Sequence, residues 1–289
     1  MSSDQVLARD VPREPADGFS LGEVAVQLSL DAARAADHAG LHTAVLDIVA
    51  VLAAGGVRRT LLHAAGQTGV LVRDRRVPAD EVDRALTRLA DRSLLTLSPD
   101  GQTVSMPVPV AQLVRAGLAR AAPLTVVCRT AASMLEAQAD ALAKSPDEAA
   151  ARDIPEQVAA LRENAGPAAE SDEQLAVVLL RLRSRVLYQL IERGDSAPQV
   201  IKVGQPLAAE LERVLGPDHP DTLNVRDSLA AAYQAAGRAA EAILLFEDIL
   251  VARERILGPK HPDTLTSQNN LPPHTRTPAG PPRRSCCSS

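Results

Sequence analysis

Nine residues, LGPDHPDTL at 215–223, return as LGPKHPDTL at 257–265, forty-two positions later, with Lys260 in place of Asp218 as the one change. The block dictates backbone. Gly216 can take the left-handed conformation that ends a helix, and Pro217 after it cannot extend one. Pro220 suits the first turn of a new helix, where its missing N–H is not needed, and Asp221 adds negative charge near the positive end of the helix dipole. Between the copies, Val225, Leu229, Ala232 and Ala236 step by four, three and four. Ala242, Phe246, Ile249 and Arg253 repeat that rhythm, and Gly237 separates the two runs. The pattern predicts helix, tight turn, helix, tight turn, the sequence form of an α-solenoid repeat.

The run Leu229-Ala230, Tyr233, Gly237-Arg238, Glu241-Ala242 and Phe246, closed by ERILGPKHPDTL, resembles the long tetratricopeptide repeat of the kinesin-light-chain type. The resemblance implies that Leu229, Ala230, Tyr233, Gly237, Ala242 and Phe246 are structural positions of the scaffold. It also implies a groove that holds a partner helix or peptide. The common unit has about 34 residues, so the spacing of 42 reflects longer helices and the inserted connector. Upstream, VLYQLIERGDSAPQVIKVGQPLAAELERVLG reads as a worn preceding copy: Leu215 matches Leu257, Arg213 matches Arg255 and Val200 falls where Ala242 does. Its turn, Gly194-Asp195, is one residue out of register. Downstream, a third copy opens at Asp263, but after Leu271 comes PPHTRTPAGPPRRSCCSS, whose adjacent prolines stop a helix. The expectation is a reading frame that slipped near Leu271, leaving a remnant of a longer protein.

Aromatics make up 1% of the chain and tryptophan is absent, so Ala, Leu and Val must fill any core. That favours helices over a sandwich or barrel. A net charge of −5 gives no global attraction for nucleic acid or anionic membrane. The N-terminus lacks an apolar signal core, and no apolar run reaches the roughly 18–20 residues needed to span a bilayer. Cys128 and Cys286-Cys287 show neither metal spacing nor a disulfide framework, which fits a reducing cytoplasm.

Residues 1–22 are polar with Pro12, Pro15, Gly18 and Gly22, and are expected to be disordered. Helical patterning begins at Glu23. Leu41, Val45, Ile48, Val49 and Leu52 form an apolar stripe ended by Gly55-Gly56, and Arg58 to Ala65 reads as a short helix ended by Gly66. A third helix places Val82, Ala85, Leu86 and Leu89 on one face, and SLLTLSPDGQTVSM reads as a hairpin around Pro99-Asp100-Gly101. Gln112 to Arg120 resumes helix, with weaker punctuation at Ser145-Pro146 and Gly166-Pro167. Three helices followed by a β-hairpin make a winged-helix pattern. The expected fold is therefore mainly α: a winged-helix-like domain at 23–122, a helical linker at 123–171, tetratricopeptide-like repeats at 172–271 forming a short α-solenoid, and a disordered tail at 272–289.

The stretches VAVQLSLDAARA, LHTAVLDIVAVLAAGGV and VPADEVDRALTRLADRSLLTLSPDGQTVSMPVPVAQLVRAGLAR resemble the region after the nucleotide-binding domain in bacterial NB-ARC/tetratricopeptide signalling ATPases of the STAND class. Such proteins carry a P-loop, GxxxxGK[ST]. Here Lys144, Lys202 and Lys260 are the only lysines, and none follows a glycine in that pattern. The family's winged helix ends in a Met-His-Asp-like motif, whose place is taken by Met106-Pro107-Val108. Neither nucleotide nor any other cofactor is expected.

His219 and His261, beside Asp221 and Asp263, could be imagined as a catalytic or metal pair, but their place in a duplicated connector points to shaping a turn. His38, His42 and His63 lack acidic or cysteine partners at ligand spacing, and nothing assembles a nucleophile, a base and an oxyanion donor. No catalytic, cofactor-binding or metal-binding residue is expected. The reading is a non-catalytic, cytoplasmic interaction module whose partner is a protein, either a helix or peptide in the groove or a STAND ATPase. The alternative is a DNA-binding regulator in which ADEVDRALTRLADR enters the major groove and Arg58, Arg59, Arg73, Arg75 and Arg76 meet phosphates. The acids Asp80, Glu81, Asp83 and Asp91 on that helix oppose it, so nucleic acid is not the favoured partner.

Overall fold

The computed structural model describes residues 21–271, apart from 53–54, 73–74, 122–123 and 145–147. The expectations for residues 1–20 and for the tail from Pro272 lie outside the described residues. The chain divides into two compact units between Leu175 and Ala176.

The first unit contains α1 (Leu21–Ala35), α2 (Leu41–Val51), β1 (Val57–Arg58), α3 (Arg59–Thr68), α4 (Ala79–Asp91), β2 (Thr96–Leu97), β3 (Thr103–Ser105), α5 (Val108–Ala121), α6 (Leu124–Lys144) and α7 (Glu148–Ser171). At its centre is α2, LHTAVLDIVAV, apolar on nearly every side and packed against α1, α4, α5, α6 and α7. A helix end buried among others needs partners for its carbonyls. Arg115 Nη1 donates to the Ala50 carbonyl at 2.7 Å and Asn164 Nδ2 to that of Val51 at 3.1 Å. Gln157 Nε2 donates to the Gly56 carbonyl at 2.7 Å. One carboxylate is caught in this core: burial raises the pKa of Asp47 to about 6, with the Arg34 guanidinium 3.7 Å away opposing the rise.

The stripe Val82, Ala85, Leu86 and Leu89 is buried on α4. The hairpin β2–β3 turns at Ser98 to Gly101, where Gly101 has φ 67° and its N–H donates to the Ser98 carbonyl at 2.8 Å. Sequence pattern shows two strands, but among the described residues the sheet has three: β1 pairs antiparallel with the free edge of β3, giving the order β1-β3-β2. Two residues are too few to display alternation.

Two expected helix ends are corrected. Gly66 does not stop α3; it lies within it, and a Cβ there would fall 2.7 Å from the Val77 carbonyl oxygen. The stop is Gly69, at φ 76°. The Gly166-Pro167 step lies inside α7, since losing one N–H near the end of a helix packed along α6 does not uncouple it.

The second unit contains α8 (Glu173–Glu192) from Ala176 onward, α9 (Ala197–Leu215), α10 (Pro220–Ala235), α11 (Ala239–Leu257) and α12 (Pro262–Asn270). Each of α9 to α12 packs on its neighbour in sequence, as a solenoid requires. The α8–α9 and α10–α11 turns use Gly194 and Gly237 at φ 73° and 76°. Gly216 and Gly258 end their helices differently from the expected left-handed stop: φ is 95° and 87° with ψ 161° and 162°, an extended mirror-image region open essentially to glycine alone. The protein is mainly helical. Among the described residues no single helix is long and apolar enough to cross a membrane.

Candidate interaction surface

The duplicated connector begins each new helix in the same way. His219 is the N-cap of α10 and His261 that of α12, and in each case imidazole Nδ1 accepts the N–H of the aspartate two residues on, Asp221 or Asp263, at 3.2 Å. This fills one of the four N–H groups a helix start leaves open. Accepting at Nδ1 puts the proton of the neutral ring on Nε2. The Asp221 and Asp263 carboxylates lie 3.8 and 3.7 Å from the same nitrogens. Next in line, Thr222 and Thr264 are fully buried, with hydroxyls that have no partner. Among the described residues no three His, Cys, Asp or Glu side chains gather as metal ligands.

Leu229, Ala230 and Tyr233 are buried on α10, and Ala242 and Phe246 on α11. Gly237 makes the turn between the two helices. Arg238 lies over the Tyr233 ring, 4.4 Å from its centre, and grips both oxygens of Glu241 at 2.5 Å. The register-mate of Phe246 on α9 is Gly204, and there Leu187 and Leu229 come within 3.5 Å of where a Cβ would stand. Neighbouring leucines thus occupy what the phenyl ring fills one repeat later.

Arg253 stands on the apolar stripe of α11 and is 5% exposed. Its Nη1 donates to Ser267 Oγ at 2.6 Å and its Nη2 to Asn224 Oδ1 at 3.0 Å. Asp227 Oδ1 is 3.8 Å away and accepts from Asn270 Nδ2 at 3.4 Å. Burial raises the Asp227 pKa, while Arg253 and Asn270 pull it back. Burial also raises that of Tyr188 on α8, and the charges of Asp221 and Asp227 add to the rise. Tyr188 on α8 therefore lies within electrostatic reach of Asp221 and Asp227 on α10, and Asp227 meets Asn270 of α12. Sequence reasoning missed this network. Its one signal was a charged residue keeping an apolar rhythm.

Residues 222–263 match the tetratricopeptide repeat family. Those 42 residues hold the turn at Gly237 and both Arg238 contacts. The comparison with curated proteins returned no match. Among solved structures, the chain is similar to a crystal structure of kinesin light chain nearly identical TPR-like repeats from Podosopora anserina. Identity is 20% over 69% of this chain and 94% of that one, with a TM-score of 0.24, too low to carry an argument.

Outside the tetratricopeptide repeat, several basic residues of the first unit pair with its own acids. Arg58 pairs with Asp153, and Arg75 with Glu81. Arg59 Nη2 and His63 Nε2 converge on Asp83 Oδ1 at 2.5 and 2.7 Å. Burial opposes it, yet these two donors hold the Asp83 pKa below the ordinary carboxylate value. His63 thus has an acidic partner that sequence spacing did not show, and so has His42, whose Nδ1 lies 3.1 Å from Asp37 Oδ1. Arg76 is exposed, whereas Arg73 lies outside the described residues. Met106 is buried and Val108 is 57% exposed at the start of α5. Cys128 is buried, and burial raises its thiol pKa to about 11.

Proposed function

We propose that the chain is a non-catalytic protein-interaction module of the tetratricopeptide type, which holds a partner helix or peptide against the face formed by α8, α10 and α12. The observation that carries this reading is the line Tyr188, Asp221, Asp227, Asn270, where a half-buried tyrosine sits among acids on alternate helices of a repeat stack. Tyrosine offers a large amphipathic contact at low entropic cost, and the acids suit a basic partner segment. The first unit acts as a winged-helix spacer, supported by its order of helix, strand, two helices and hairpin. The chain is then a cytoplasmic remnant or partner of a STAND signalling ATPase. The pairing of Arg58, Arg59 and Arg75 with acids weighs against DNA binding through α4.

A photoreactive benzoylphenylalanine at position 188 tests the reading. It should capture a polypeptide in cells, and Asp221→Lys should abolish the adduct at unchanged helicity. Equal capture from a probe at exposed Leu28 would contradict it. In a mobility-shift titration the chain should leave DNA unshifted at low salt, and a shift with steep salt dependence would restore the DNA reading.

A further inference from the structure

Around the second copy of the connector, three apolar side chains stand in solvent: Ile256 is 45% exposed, Leu257 41% and Leu265 46%. Their counterparts forty-two residues earlier are less exposed. Val214 and Leu215 are half-buried, and Leu223 is only 4% exposed. The reason for the last is explicit: Leu223 on α10 packs against Leu245, Ile249 and Ala252 of α11. On α12, Leu265 presents the side chain that α10 uses to seat its following helix.

We propose that this face of α12, with the end of α11, docks an amphipathic helix from a different protein chain, whose apolar residues have the spacing of Leu245, Ile249 and Ala252. The helix continues in trans the stack that α9 to α12 form in cis. Charge selects the occupant. At the first connector Asp218 accepts from Arg255 Nη2 at 2.5 Å, which ties the connector to the last turn of the covering helix. At the second connector that acid is Lys260, so the incoming helix carries a carboxylate where α11 carries Arg255. The chain's own helices of this type, α9 and α11, have Arg213 and Arg255 there. A second copy would set arginine against Lys260, which is why the partner is another protein. This surface is distinct from the Tyr188 face and does not rest on it.

The probe is a labelled peptide of residues 239–257 carrying Arg255→Glu, titrated against the full chain by fluorescence anisotropy. It should bind saturably and at least fivefold more tightly than the unaltered peptide, and Lys260→Ala in the chain should erase that preference. Leu265→Asp, and separately Leu257→Asp, should weaken it tenfold or more at unchanged circular dichroism, while Leu28→Asp should not. Failure to bind, or binding indifferent to both substitutions at 265 and 257, overturns the proposal. So does a dimer of the chain that Leu265→Asp dissolves, which makes a second copy the occupant. Binding seen only after removal of residues 272–289 makes that segment the occupant and overturns it equally.

Discussion

Around the first connector the stack closes on Leu211 and Val225, 1% and 0% exposed, whereas the same two positions around the second hold Arg253 and Ser267, 5% and 0% exposed. Connector and burial are alike, yet the chemistry is opposite. Two apolar side chains attract without direction. A buried guanidinium is tolerated only where its donors find acceptors, and it fixes where those acceptors must lie. Asn224 and Asp227 on one side of Arg253, and Ser267 Oγ with the Asp263 carbonyl on the other, supply this, while Asn270 donates to Asp227, so the polar junction ties α10 and α12 to α11 in one register. The connector thus sets where helices begin and end, and the residues flanking it set how firmly they lock.

The sharpest way to break the comparison is to cut the network at its centre. Arg253→Ala should destabilise the second unit by about 3 kcal/mol, because partly buried Asp227 loses its cation and Ser267 and Asn224 lose their donor. Urea unfolding followed by circular dichroism reads the loss. Transplanting the apolar chemistry, as Arg253→Leu with Ser267→Val and Asp227→Asn, should recover all but about 1 kcal/mol. A triple variant as weak as the single one would mean that the junctions are not interchangeable.

The second contrast is between Phe246 and Gly204, which share a register position. Phe246→Ala should cost about 3 kcal/mol through the cavity it leaves. Gly204→Ala should be neutral or stabilise by up to about 1 kcal/mol, since the new methyl meets Leu187 and Leu229 at ordinary contact distance and removes a helical glycine. Thermal melts should therefore show a fall for Phe246→Ala and no fall for Gly204→Ala.

Asp47 extends the contrast to a carboxylate without such a network. One of its oxygens is buried without a hydrogen-bond partner. Its folded pKa of about 6 lies above the ordinary value of 3.8, so the folded state holds the proton more tightly. Stability should then fall as pH rises from about 4 to 6 and level off above that. Asp47→Asn should stabilise the first unit by about 1–2 kcal/mol at pH 8 and make no difference below pH 4. An equal effect at both pH values would contradict this. The smallest effect expected is at the caps. His219→Ala should cost about 1 kcal/mol and His261→Ala about half that, because α10 is packed on both sides and α12 is the shorter helix.

Much of the second unit was legible because glycine and proline act locally: the ends of α9 and α11 and the starts of α10 and α12 follow from the connector alone. The conformation of Gly216 was less so, since a positive φ is readable from a glycine after a helix but its extended ψ is set by how the chain enters the next one. Gly66 misled because its purpose is the carbonyl of Val77, eleven residues away, rather than a turn. The β1 strand exists through pairing with β3, which no two-residue pattern announces. In the candidate surface, the imidazole bond to the Asp221 N–H could be reached from the His-Pro-Asp order. The Arg253 network could not, since its partners lie on two other helices, α10 and α12, and are ordinary polar residues one at a time.

Native-state hydrogen exchange of the full chain tests most directly whether the polar junction locks α12 into the stack. Amides at 266–270 should be protected to within about 1–2 kcal/mol of those in α10 and α11, and Arg253→Ala should release them while leaving the first unit unchanged. Rapid exchange of those amides in the unaltered chain would contradict the account.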